Sequence, residues 1–349
     1  MKKILPRWIK DIYHRVVEIT DRILTQIFKS WPFMASVHYA VLSREFGREH
    51  RAVLEGKSAY QKSLHNPRES SVLLRRNTHR LEKGLIMQPR RDVFGEDFIR
   101  EVVETYKQAI SFGNLQPAEK KWITDVLIEY FSVVKDTDII GPARALFESC
   151  VEEDNLPYKY VPYPFGSLSE TDITYEQLHR LFIKRRSVRW YQDRDVPMAL
   201  VEKAVNLATL APSACNRQPY SFYVSQGKKK AVEIAKCAGG TTSWADGIPC
   251  TIVTVGDLSA YSKERDRHLI YIDGSLAAMQ LMLAFETLGL STCSINWPDM
   301  KAEEKKLSSL LGLKSFERPI MLMSVGYAQE SGGIPFSQKK PPSFLIKKY

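Results

Sequence analysis

Arg185-Arg186-Ser187-Val188-Arg189-Trp190, and after it Ala211-Pro212-Ser213-Ala214-Cys215-Asn216-Arg217-Gln218-Pro219-Tyr220, are the stretches that decide how this chain is read. The first places three guanidiniums and a hydroxyl at what reads as the C-terminal end of a helix. The second is a turn of small and amide residues leading into a strand. Together they offer fixed positive charge, planar hydrogen-bond donors and a backbone with little bulk. A phosphorylated, ring-bearing cofactor needs those features.

Outward from these stretches, helices alternate with a few strands. Thr171 or Asp172 can cap a helix running to about Arg185, with Leu178, Leu181 and Phe182 as its apolar side. Leu200–Leu210 and Gly227–Ala238 read as helices, and Ser221–Ser225 and Cys250–Val255 as strands. Ile270–Leu288 is a long apolar helix stopped by Gly289. A strand at Ser291–Ile295, a helix at Lys301–Leu311 and a strand at Pro319–Val325 complete the series. Interleaved helices and strands mean a layered α+β domain. No Gly-x-Gly-x-x-Gly turn or P-loop is present, so the common nucleotide fingerprints are absent.

The first half reads as mostly helical. Ile9, Ile12, Val16, Ile19, Ile23 and Ile27 recur at spacings of three and four, an amphipathic stripe. Two readings of that face stand: packing on the protein or a second subunit, or peripheral membrane contact through residues 7–29, which Asp11, Glu18 and Asp21 disfavour. From Ser70 to Phe112 the pattern is again helical. Arg76, Arg80 and Lys83 share one face with His79 beside them, either a solvated face or a substrate-binding one. Gly84 and Pro89-Arg90-Arg91 mark a break. Lys120–Val134 and Ala143–Glu153 read as helices around Gly141-Pro142. The Pro- and Tyr-rich stretch Leu156–Gly166 reads as a stiff connection, so the domains are set at 1–168 and 169–349.

The second half resembles the nitroreductase family. The resemblance rests on the two opening stretches, then Asp273-Gly274, Leu288-Gly289-Leu290-Ser291-Thr292-Cys293 and Met323-Ser324-Val325-Gly326-Tyr327. It implies a nitroreductase-like mixed sheet flanked by helices, binding FMN across a homodimer interface. By the resemblance, Arg185 and Ser187 meet the phosphate–ribityl side with Arg186 alongside, and Arg189 stands near the flavin's pyrimidine edge. A cation there stabilises negative charge developing on the ring. Pro212, Ser213, Ala214, Asn216 and Gln218 line the ribityl chain and ring edge, Gln218 from either subunit. Cys293-Ser294-Ile295-Asn296, chiefly Ser294 and Ile295, present backbone groups near N5. Lys339 and Lys340 match a position where basic residues close on the phosphate, or else form a solvated tail. The lysine that the family often carries before the next strand has no counterpart in Gly239–Gly247. There Trp244 either walls the substrate pocket or fills a core.

The implied activity is an FMN-dependent oxidoreductase passing hydride from NADH or NADPH through flavin N5 to a nitro- or quinone-type or anionic biosynthetic acceptor. The flavin carries the chemistry, so no acid, base or metal ligand is assigned. Residues Arg76, His79, Arg80, Lys83 and Trp244 are candidates for the substrate. A rival reading is a non-catalytic flavin-binding module whose N-terminal helices dock a protein or membrane surface.

Composition agrees with a soluble globular protein: 44% hydrophobic, 26% charged, net charge +10. The positive balance favours anionic partners, but without an interleaved aromatic groove it excludes nucleic acid as the main reading. Five scattered cysteines without a Cys-x-x-Cys pair suit a reducing compartment and no metal. Charges interrupt the N-terminal apolar residues, so neither a signal peptide nor a membrane span is expected. The location expected is cytoplasmic.

Overall fold

The computed structural model describes residues 6–65, 71–113, 115–151 and 158–348. Met1-Lys2-Lys3, the expected helix start at Ser70, the expected helical extension over Glu152-Glu153 and the Leu156-Pro157 part of the connection lie outside them. By its contacts the chain divides into two compact units, Met1–Leu54 and Glu55–Tyr349.

The first unit holds α1 (Arg7–Phe28), α2 (Pro32–Val37), a π-helical turn over His38–Ser43 and the start of α3 (Gly47–His65). The amphipathic stripe forms as its spacing predicts. Its side chains at Ile12, Val16, Ile19, Ile23 and Ile27 are all exposed.

In the second unit come α4 (Val72–Leu85), α5 (Ile99–Phe112), α6 (Pro117–Val133) and α7 (Ile140–Glu148). They bury Leu81, Val103, Tyr106, Ile123, Leu127 and Tyr130 in one core. Each such side chain contributes ~1.5–3 kcal/mol on leaving water. The two tyrosines keep their hydroxyls satisfied: Tyr106 lies 2.8 Å from Thr124 Oγ1, and Tyr130 donates to the Phe94 carbonyl at 2.7 Å. Gly141-Pro142 is not a break between helices. It sits in the first turn of α7, where a missing N–H costs nothing.

The expected boundary at residue 168 falls within this second unit, although separate hydrophobic cores form on its two sides. Contacts also cross it. The last turns of α3 lie against Leu258 through Gly56, and Lys57 pairs with Glu264.

Beyond it follow α8 (Tyr175–Lys184), α9 (Met198–Ala208), β1 (Tyr220–Val224), α10 (Lys228–Ala235), β2 (Cys250–Asp257), α11 (Leu269–Thr287), β3 (Ser291–Asn296), α12 (Lys301–Leu311), β4 (Glu317–Gly326) and α13 (Pro342–Leu345). The cap of α8 is Thr174 rather than Thr171 or Asp172. A capping box with Gln177 satisfies donors at both residues, whereas Thr171 and Asp172 have no Gln or Glu three residues on.

The strands pair antiparallel in the order β1-β2-β4-β3. Among the described residues one parallel bridge, Ser187 to Thr292, makes the pairing mixed. Side chains alternate along β2: Cys250 and Ile252 join the core with α9 and α11, while Val253 and Val255 join that with α10. Both faces are covered, which is why β2 reads as a continuous apolar run. In β4 the extra residue Ile320 makes a bulge beside Pro319, where a ladder donor is not needed. Ile320 then fills the space over Gly274, where a Cβ would stand 2.5 Å from its Cδ1. Helix α11 is long and apolar enough to cross a membrane, yet half of it is buried, as suits a core helix.

Candidate functional site

Arg185 to Arg189 follow α8 directly, and the sheet stitches them down. Val188 donates to the Thr292 carbonyl at 3.0 Å and buries its side chain. The buried Tyr191 hydroxyl donates to the Val188 carbonyl at 2.6 Å and lies 2.8 Å from Ser324 Oγ. With Val188 turned inward, Arg185, Ser187 and Arg189 face a cavity of about 470 Å3, joined there by Arg186, Ser337 and Lys339. Arg189 also lines a second cavity of about 280 Å3 with Trp244, Ser294, Ile295 and Asn296. No carboxylate lines either cavity among the described residues.

The guanidiniums are not equivalent. Arg186 donates to the Phe182 and Arg185 carbonyls at 3.1 and 3.0 Å, so it closes the end of α8. Arg189 donates to the Ser187 carbonyl at 3.4 Å and stands 5.9 Å from the centre of the Trp244 ring. Arg185 lies near the buried Glu286, whose carboxyl burial pushes up and Lys184, Arg185 and Ser291 pull back. Burial likewise raises the Cys293 thiol, with Arg189, Ser187 and Arg185 opposing. Positive potential therefore reaches from the loop to β3. Trp244 is 8% exposed and donates its indole N–H to the Gly240 carbonyl. It is both core and cavity wall. Lys340 is exposed and lines neither cavity.

The second stretch folds differently. Cys215, Asn216 and Gln218 all have positive φ, at 53°, 51° and 49°. Such a conformation costs roughly 1–2 kcal/mol per non-glycine residue, so the turn must be held from outside. The backbone N–H of Ala214 donates to Asp273 Oδ2 at 2.9 Å, and that of Gln218 to Ser213 Oγ at 3.0 Å. The Gln218 amide donates to the Thr209 carbonyl at 2.8 Å. Burial raises the Asp273 carboxyl, while Ala214, Tyr261 and Arg217 favour its charge.

Arg75 completes the clamp. Its guanidinium donates to the Asn216 carbonyl and Gln218 Oε1, both at 3.2 Å, and pairs with Glu119 at 3.0 Å. Sequence reading passed over this residue because it sits in a charged run beside Arg76. Its one visible signal is that it falls on a different helical face.

Neither Pro212, Ser213, Ala214, Asn216 nor Gln218 lines the cavities at Arg185 and Arg189. Cys215 instead faces a third cavity, with Arg76, Arg80 and Lys83. His79 is not among its lining residues. Its Nδ1 lies 3.0 Å from Glu82 Oε2, and Glu82 Oε1 accepts the Trp122 indole N–H. An acid one turn along α4 captures the imidazole before it can reach a ligand.

A nitroreductase family model matches residues 183–243 and 230–327. The C-terminal half of this chain is a nitroreductase-family domain. Iodotyrosine deiodinase 1 of Pongo abelii is 24% identical over 222 residues, 56% of this chain and 75% of that protein. A putative NADH dehydrogenase/NAD(P)H nitroreductase of Methanothermobacter thermautotrophicus is 27% identical over 149 residues, 43% of this chain and 76% of its own. Among solved structures, a nitroreductase family protein from Streptococcus pneumoniae TIGR4 aligns with 26% identity and a TM-score of 0.43, over 49% of this chain and all of its own. An FMN-dependent nitroreductase from Clostridium difficile aligns with 26% identity and a TM-score of 0.39, over 45% of this chain and 91% of its own. The matched residues include Arg185 to Arg189, Trp244 and the strained turn, while Arg75 to Lys83 and Lys339 lie outside them.

Proposed function

We propose that the nitroreductase domain holds FMN and works as an oxidoreductase on a small acceptor. The observation that carries this is the acid-free pair of cavities joined at Arg189. Their donor set fits the cofactor: Arg185, Ser187 and Lys339 offer charge-assisted hydrogen bonds to a phosphate, and Arg189 places a cation beside a ring. When bound, FMN supplies the two-electron chemistry, taking hydride from NADH or NADPH and delivering it to the acceptor. This chain's part is to orient the ring. Arg189 favours negative charge at its edge, and Trp244 and the Ser294–Asn296 edge exclude water from one side.

A second copy of the chain completes this pocket in our reading. The strained turn and the arginine loop line different cavities of one chain, so residues 212–218 would meet the flavin of a partner. Exposed apolar residues in the same unit, among them Ile272, Leu276, Met279, Leu207 and Leu210, supply a surface for that contact. Five free thiols suit a cytoplasmic setting.

The test is direct. Purified full-length protein should be yellow, dimeric by light scattering, and bleached by NADH or NADPH without oxygen. Reoxidation by quinones, nitroaromatics and iodotyrosine then ranks acceptors, the last because relatives carry the deiodinase name. Colourless protein that retains no added FMN would sink the proposal.

The exposed stripe of α1 favours a second reading, in which the N-terminal helices dock on a protein or membrane surface. Co-sedimentation of the full chain with anionic vesicles supports the membrane form, and its absence removes it.

A further inference from the structure

Helix α4 carries a cluster that the flavin chemistry leaves unused. Arg76, Arg80 and Lys83, with Arg91 from the following loop, line a cavity of about 580 Å3. Small-molecule sites span roughly 300–1,000 Å3. The rings of Phe94 and Phe98 line the same cavity. Phe94 lies so near α4 that a Cβ on Gly84 would stand 2.3 Å from its ring, so glycine keeps that wall open.

The cluster is under-neutralised. Arg80 pairs with Asp97 at 2.9 Å and stacks 3.6 Å over the Phe98 ring. Arg76, Lys83 and Arg91 have no carboxylate partner among the described residues. Like charges one helical turn apart repel by ~0.2–0.5 kcal/mol a pair. A concave wall gathering four cations against one exposed carboxylate is arranged to meet negative charge from outside.

We propose that this cavity binds a phosphorylated, ring-bearing molecule, the acceptor of the reaction. A phosphate monoester brings nearly two negative charges and three acceptor oxygens, matching three uncompensated cations. A lone carboxylate would leave most of them unpaired. Phe94 takes the ring, and Arg80, already oriented by Asp97, Asn77 and the Phe98 ring, serves as the fixed donor. Cys215 brings the strained turn into contact with the bound molecule, and Arg75, one residue from Arg76, clamps the same turn. The identity of the ligand as acceptor rests on the flavin reading, whereas the binding chemistry stands without it.

Calorimetric titration of phenyl phosphate into the full-length protein as purified tests this, with benzoate and inorganic phosphate as the other arms. Phenyl phosphate should bind more tightly than either. Arg76→Gln with Lys83→Gln should weaken it at least tenfold, while bound flavin and thermal midpoint stay unchanged. Lys83→Gln alone, at an exposed position, should shift affinity the same way should the double variant misfold. Equal affinity in the variants, tighter binding of benzoate, or displacement of FMN by phenyl phosphate would each overturn the proposal. Failure of the flavin reading shows separately, as colourless protein, and leaves the titration fully interpretable.

Discussion

Around Arg185 the cations stand on the edge of a sheet, whereas around Arg76 they stand on the face of a helix. The first set is fixed by main-chain bonds from Val188 to Thr292 and by the buried Tyr191 beneath it. The second is fixed by helical spacing and one ion pair, Arg80 with Asp97. Similar charge therefore comes with different rigidity. The sheet-borne set is suited to one cofactor held in one pose, and the helix-borne set to a ligand that exchanges. Glu286 lies buried under the first, while Asp97 is exposed beside the second, so only the first should couple strongly to folding.

The largest effect should come from Arg185→Ala. Losing a charge-assisted bond of ~1.5–3 kcal/mol should weaken FMN binding by roughly 10- to 150-fold, read by fluorescence recovery of released flavin. Arg76→Gln should leave that affinity alone. Equal losses in both would erase the distinction between the two walls.

Gly84→Ala should come next. It drives a methyl group into Phe94, so the ring must swing into the cavity. Overpacking of this kind costs ~1–3 kcal/mol. Phenyl phosphate binding should fall severalfold by calorimetry with flavin content unchanged.

Glu286 offers a pH test of the first wall. Its folded pKa lies above the ordinary 4.5 because of burial, so the folded state holds its proton more firmly than the unfolded state. Stability contributed by the protonated form is present below that ordinary value and is lost as pH rises through the raised one. Chemical denaturation of the wild type should show this decline, and Glu286→Gln should flatten it. An unchanged slope would mean that the carboxyl is not held in the environment described.

The smallest effect should be Cys215→Gly. Relief of the left-handed backbone, ~1–2 kcal/mol, is offset by ~0.4–1 kcal/mol of added unfolded-state entropy. A slight rise in thermal midpoint, read by scanning calorimetry, is the outcome.

Much of the fold was legible because local pattern and tertiary role agree. The strands read at Ser221–Ser225, Cys250–Val255, Ser291–Ile295 and Pro319–Val325 fall on the four strands among the described residues, and α12 falls at Lys301–Leu311 as read. The cap of α8 lies two or three residues beyond the expected position because Thr171, Asp172 and Thr174 look alike until Gln177 closes the box. Within the candidate site, the charged face of α4 was legible as a face. The withdrawal of His79 toward Glu82 and the reach of Arg75 to Gln218 were not, since helical spacing says which residues share a side and nothing about which neighbour captures each.

By itself the sequence determined the nitroreductase-type domain, its order of elements and the two clusters of cations, because periodicity, motif order and charge are local properties. Only the tertiary structure decided that Arg185, Arg189 and Lys339 share acid-free cavities, and that the strained turn lies apart from them beside Arg76. Those placements depend on contacts between residues more than a hundred positions apart, such as Arg75 with Asn216. Packing of the whole chain sets them, and no window of residues contains the information.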